Sequence, residues 1–166
     1  MRPQEITGFT LIEALIVVSI AAIIGLISLS SFNRLITDIR EYNTIARVSA
    51  CVDRARLLAV TRNERVGVCS LADDKRCSED WNGNYWAEFV DANGNRQLDS
   101  GEKIVFERPR NSQVDARWSN WLRDDTITYQ SNGTVVSNGT LYLSENGKTF
   151  AKLIFNKGGR LRLEKP

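Results

Sequence analysis

Three groups of residues carry chemistry by their type and spacing. Asp91, Asn93, Asn95, Asp99 and Glu102 place side-chain oxygens at positions 1, 3, 5, 9 and 12 of the segment DANGNRQLDSGE, the spacing of an EF-hand calcium loop. Position 6, where that loop's sharp turn asks for glycine, holds Arg96, whose charge would lie near the ion. The flanks YWAEFV and KIVFER read as strands, so a solvated β-hairpin turned by Asx bonds and Asn93-Gly94 is the alternative to a calcium site. The second group is basic: residues 145–166 hold Lys148, Lys152, Lys157, Arg160, Arg162 and Lys165 against Glu145 and Glu164. On a strand, Arg160 and Arg162 share one face while Leu161 and Leu163 take the other. With Lys152 and Lys157 they could clamp the phosphates of double-stranded DNA with little base readout. Gly158-Gly159 just before them permits a tight turn and the close approach of a backbone or a phosphate. The same charges on a solvated edge strand would serve only to prevent sheet-to-sheet pairing. The third group is a single residue, Glu13, the one charge within residues 9–29, FTLIEALIVVSIAAIIGLISL.

Composition removes other chemistries. The 166 residues include no histidine and three cysteines, which excludes Ser-His-Asp and Cys-His nucleophilic sites and His-ligated zinc. Three thiols at non-metal spacing do not replace such a site. A net charge of +2 is too small for the whole molecule to act as a polyanion binder, so any such role must be local. No nucleophile has a base in its local pattern, and an enzyme is not expected.

These groups must be positioned by two kinds of element. Residues 9–29 as a helix span roughly 31 Å, the thickness of a bilayer's hydrocarbon core. A buried soluble helix would need more surrounding core than the remaining chain supplies. A cleaved secretory signal is the nearer competitor, but the run is long for one, lacks a small-x-small cleavage site and continues unbroken into an amphipathic pattern. A carboxylate in hydrocarbon costs on the order of 2.5–3.5 kcal/mol, so Glu13 calls for a partner or for snorkelling to the interface.

The run Gly8-Phe9-Thr10-Leu11-Ile12-Glu13 followed by unbroken apolar sequence resembles the class III signal of type IV pilins and type II secretion pseudopilins. The resemblance implies a leader, residues 1–8, cut after Gly8 by a prepilin peptidase that also methylates the new amine of Phe9. It implies a transmembrane and filament-core helix over 9–30, with Glu13 meeting the N-terminal ammonium of a neighbouring subunit during assembly. The head, 31–166, would lie in the periplasm of a bacterium, held at the inner membrane by this single pass and taken into the filament. Related major pilins often carry proline where this chain has Ser30, so a bend would have to come from Gly25 or Ser28–Ser31.

Beyond Leu29, Leu35, Ile39, Tyr42, Ile45 or Ala46, Val52, Ala55 and Leu58 recur at helical spacing, which predicts an amphipathic helix to about residue 62. From Arg65 the pattern changes to short β-type runs: RVGVCSL, NYWAEFVD, KIVFERP, TITYQ, TVV, LYLS, FAKLIFN and RLRLE. Asn-Gly pairs at 82–83, 93–94, 132–133, 138–139 and 146–147 mark turns. The expected fold is α+β, with a long N-terminal helix packed by its amphipathic half on an antiparallel β-sheet head. Val66-Gly-Val, the Trp81-x-Gly83 pair, the two cysteines Cys69 and Cys77 and the Asp91-x-Asn93-Gly94 turn resemble the GspH/FimT (FimU-like) branch of minor pilins. In the oxidising periplasm that this topology implies, Cys69 and Cys77 should form a disulfide. Cys51 is left over, as a buried free thiol or for an intermolecular bridge. Gly159-Arg160-Leu161-Arg162 is similar to the Gly-Arg-x-Arg signature of the DNA-binding FimT subgroup, which implies DNA capture in natural transformation. The leading expectation is a structural minor pilin that helps prime type IV pilus assembly, with other major and minor pilins as partners. The alternatives are a pilus DNA receptor and a GspH-like pseudopilin of type II protein secretion.

Overall fold

The structure, a computed structural model, describes residues 10–166, with 26–31 described by backbone alone. The leader and the expected cleavage and methylation site, Gly8 and Phe9, lie outside the described residues. One helix, α1 (Leu11–Arg62), is followed by eight strands. Its 52 residues run without interruption through Gly25 and Ser28–Ser31. Thr10 caps it, its Oγ1 accepting the Glu13 N–H at 3.3 Å, and Glu13 places negative charge in the first turn where the helix dipole favours it. At the other end Asn63 takes φ 55° and the Glu64 N–H donates to Ala59 O at 3.2 Å, a left-handed cap that asparagine tolerates almost as glycine does.

The chain forms two compact units, Met1–Glu41 and Tyr42–Pro166. The described part of the first is helix with no buried side chain, and Leu11, Ile12, Leu15, Ile16, Val17 and Val18 are all more than half exposed. The Ser19 hydroxyl donates to Leu15 O at 2.7 Å, so the hydroxyl in this apolar run is satisfied within the helix.

The second unit holds all the strands in two four-stranded antiparallel sheets. The first has the order β3-β2-β1-β5, from β1 (Val66–Leu71), β2 (Tyr85–Val90), β3 (Ile104–Pro109) and β5 (Ile127–Tyr129). The second has the order β4-β6-β7-β8, from β4 (Asp115–Asn120), β6 (Gly139–Glu145), β7 (Lys148–Phe155) and β8 (Leu161–Glu164). The expected head sheet is thus divided in two. Ile45, Val48, Cys51, Val52, Ala55 and Ala59 of α1 pack into one core with Val66, Val68 and Tyr129 of the first sheet and Leu141, Leu143, Leu153 and Phe155 of the second. An aromatic chain joins the sheets: Trp86 to Trp81 at 5.5 Å between ring centroids, Trp81 to Trp118 at 5.9 Å, and Trp118 edge-on to Phe155 at 5.4 Å. Cys69, Leu71, Ala87 and Phe89 form a second cluster, covered in part by Leu98 and Ile104. Strand β1 is therefore buried on both faces, which is why its sequence shows no alternation.

Two arginines fasten the helix to this scaffold. Arg54 Nε donates to both carboxylate oxygens of Glu88 at 3.0 and 2.8 Å, its Nη2 adds a further bond to Oε1, and its guanidinium lies 3.4 Å from the Phe106 ring centroid. Glu88 is fully buried. Arg56 donates from Nε to Gly133 O at 3.0 Å and from Nη2 to Gly158 O at 3.2 Å.

Three sequence expectations change. The buried stripe starts at Thr44 and Ile45, whereas Tyr42 in the same unit is 69% exposed, and Leu35 and Ile39 in the first unit are also exposed. The run TVV makes only an isolated bridge, Tyr129 with Val135, because its neighbours turn at Asn132-Gly133. Strand β4, DARWSN, was not expected, since only Ala116 and Trp118 face inward between charged and polar residues. Cys69 and Cys77 are bonded, with their Cα atoms 5.6 Å apart.

Replacing Arg54 by Ala strands the Glu88 carboxylate in the core. With a third of the Arg54 side chain exposed, the loss of unfolding free energy should fall at the low end of the range for a broken buried pair, about 3 kcal/mol by urea denaturation. Arg54→Met combined with Glu88→Met should recover most of it, because no charge then remains buried. Cys69→Ala with Cys77→Ala should lower stability by about 2–3 kcal/mol, and adding reductant to the unsubstituted chain should reproduce that loss.

Candidate functional site

The basic C-terminal segment is built on the second sheet. The register β4-β6-β7-β8 sets Arg117, Tyr142, Lys152 and Glu164 in one row across four strands and Ser119, Thr140, Ile154 and Arg162 in the next. Period-two alternation puts both rows on one face, opposite the core side chains Leu141, Leu143, Ala151 and Leu153. Lys152 and Arg162 are therefore brought together, and Arg117 joins them, stacked 4.6 Å from the Tyr142 ring centroid. Glu164 lies 3.8 Å from Lys152 Nζ and 3.4 Å from Arg162 Nη2, offsetting part of their charge. Arg160 is exposed just before β8 and Lys157 is exposed in the β7–β8 turn. Arg117 and Tyr142 escape a reading confined to the last residues of the chain; the alternation Asp115, Arg117, Ser119 around Ala116 and Trp118 is the signal that could have found them.

Gly159 belongs to the fold and not to the cationic face. It is buried, its φ is 74°, and a Cβ there would sit 2.1 Å from Gly133 O and 3.3 Å from Arg56 Nε. The close approach that the glycine permits is to the 132–133 turn, which Arg56 also grips.

Along the first unit, Glu13 is an exposed carboxylate among exposed apolar side chains. Among the described residues no helix is long and apolar enough to cross a membrane.

The 91–102 loop joins β2 to β3. Val90 N–H donates to Lys103 O at 3.0 Å at its base, and Glu102 accepts the Ala92 and Asp99 N–H groups at 2.9 and 3.2 Å. Asn93 and Asn95 both donate from Nδ2 to Asp99 Oδ2 at 2.7 Å. Asp91 is 2% exposed. Among the described residues no three His, Cys, Asp or Glu side chains come together to hold a metal ion. Cys51 is a buried free thiol; burial, and then the neighbouring Glu88 carboxylate, push its pKa up and keep it protonated.

A family model described as type II transport protein GspH matches residues 44–159, more than half of the chain. That range holds the buried part of α1 and every strand except β8, and it ends before Arg160. Two crystal structures of the type IV minor pilin FimU of Pseudomonas aeruginosa, in space groups P65 and P21, superpose with a TM-score of 0.56 at 22% identity. Each match covers 74% of this chain, with 91% and 87% of the FimU chains respectively. At that identity the likeness concerns the fold, a long helix on antiparallel sheets. No curated protein matches the sequence. The helix, the divided antiparallel head and the family match together make this chain a member of the GspH family with the pilin fold.

Proposed function

We propose that this protein is a minor pilin of a type IV pilus, held in the bacterial inner membrane by residues 9–30 and built into the filament, where it helps prime assembly. One observation carries the reading: α1 continues, without a break, from a core-packed segment into a run of exposed apolar side chains whose single acid is Glu13. Such a surface calls for hydrocarbon or for other helices to cover it. A prepilin peptidase cutting after Gly8 and methylating Phe9 would leave an ammonium four residues from Glu13, the right partner for that carboxylate on an adjoining subunit. The reading is structural rather than enzymatic. A GspH-like place in a type II secretion pseudopilus uses the same helix chemistry and differs in the machinery served. A deletion strain that loses piliation and twitching but still releases exoproteins supports the pilus; the reverse result assigns the chain to secretion.

A second reading, DNA capture, is favoured by the cationic face of the second sheet, on which Arg117, Lys152 and Arg162 stand with Tyr142. Phosphate contacts would dominate there.

Glu13→Val should still insert into the membrane but be depleted at least several-fold from sheared filaments; normal incorporation would remove Glu13 from assembly. For DNA, mobility shifts at low salt should weaken on Arg160→Gln with Arg162→Gln, and the slope of log affinity against log salt should fall by about two units. No binding at low salt, or binding indifferent to those changes, defeats the DNA reading and leaves the filament reading standing. Gly159→Ala should lower thermal stability by more than about 1 kcal/mol, because it forces a side chain into a left-handed turn against Gly133 O, whereas the arginine double variant should leave stability within about 0.5 kcal/mol.

A further inference from the structure

We propose that the 91–102 loop is a calcium site, formed by Asp91, Asn93, Asn95, Asp99 and Glu102. The observation that carries it is the Asp91 carboxylate. Asp91 is 2% exposed, and its Oδ1 is buried with no hydrogen-bond partner. Its Oδ2 accepts the Arg96 N–H at 3.3 Å, which holds the carboxylate inside the loop. A buried carboxylate oxygen without a partner costs more than a lost neutral hydrogen bond, and a cation is the ligand that a lone anionic oxygen recognises best.

Arg96 does not obstruct the site. It adopts φ 66°, the left-handed conformation that the sixth position of such a loop requires and glycine usually supplies. Its surroundings hold it there: Thr126 Oγ1 donates to Arg96 O at 2.8 Å, and Arg96 Nη1 pairs with Asp124 Oδ2 at 2.9 Å. Its charge is thereby spent on Asp124. The other nearby cation, Arg65, is engaged through Nη1 with Gly94 O at 3.2 Å. The strand flanks are no obstacle either, since Val90 N–H to Lys103 O and Ala92 N–H to Glu102 close the loop ends in place of flanking helices.

The donor set selects the ion. Carboxylate and amide oxygens on an adaptable loop suit calcium, which takes six to eight oxygens. Magnesium demands a tighter octahedron, and zinc prefers nitrogen and sulfur. The three carboxylates of the set, Asp91, Asp99 and Glu102, do not converge as they stand, and the ion would draw them together with the amide oxygens of Asn93 and Asn95. The two amide donors now on Asp99 Oδ2 stand where a cation would serve that oxygen instead.

The test uses the full chain in detergent micelles, stripped with chelator and titrated calorimetrically with calcium chloride, then with magnesium chloride. The expected result is one calcium per chain with a dissociation constant on the order of 10⁻⁴–10⁻³ M, binding at least tenfold weaker for magnesium, and a thermal midpoint raised by a few degrees. Asp91→Asn should weaken calcium binding at least tenfold while keeping the circular dichroism of the folded chain. Asp99→Asn provides the same comparison if the first variant does not fold. A flat calcium titration of the unsubstituted chain at about 10 mM with no thermal shift overturns the site, as does undiminished binding in the folded variants. This outcome is independent of pilus assembly.

Discussion

The fold of the second unit depends on one contact: the segment of α1 from Thr44 to Ala59 lies against both sheets at once. Val66, Val68 and Tyr129 on one side and Leu141, Leu143 and Leu153 on the other share one core with the same helical stripe, while Cys69, Leu71, Ala87 and Phe89 form a smaller cluster without it. Ala55 and Ala59 of that stripe are fully buried, and Trp81, Trp86 and Trp118 fill space between the sheets. Sequential hairpins build β1-β2-β3 and β6-β7-β8, while β5 returns to the edge of the first sheet beside β1 and β4 pairs with β6 in the second.

Arginine does more in this molecule than its surface charge suggests. Arg54 neutralises a buried carboxylate, Arg56 bonds two turn carbonyls, Arg65 reaches the carbonyl of Gly94, and Arg110 donates to the carbonyls of Asn82, Gly83 and Val114 where the chain passes from one sheet to the other. A planar fork with several fixed donors can hold two carbonyls that point in different directions, which an ammonium on a flexible stem does less well. Part of the cationic half of a nearly neutral composition is therefore internal fastening.

The sequence exposed the helix and most strands because their signals are local: an unbroken apolar run, helical spacing, β-branched stretches between Asn-Gly turns. The α+β class could be read from that order, and the pilin fold from the resemblance of Gly8–Glu13 and the head motifs to a known family. The limits arise where the deciding partner is distant in sequence. Apolar spacing marks Leu35, Ile39 and Tyr42 as a stripe but does not say which element covers them, and burial begins only at Thr44. Strand β4 carries too few apolar residues to be read as a strand until Trp118 is seen against Phe155. Gly159 reads as part of a ligand motif until Gly133 O is found beside it, and Arg96 reads as an intruding charge until Asp124, 28 residues away, is seen to hold it.

The double grip of Arg56 has a mechanical corollary. Gly133 and Gly158 sit in turns of different parts of the chain, yet one guanidinium on the helix restrains both. Tension drawn along the helix axis would reach the turn just before the terminal strand directly, without first peeling the intervening ladders apart.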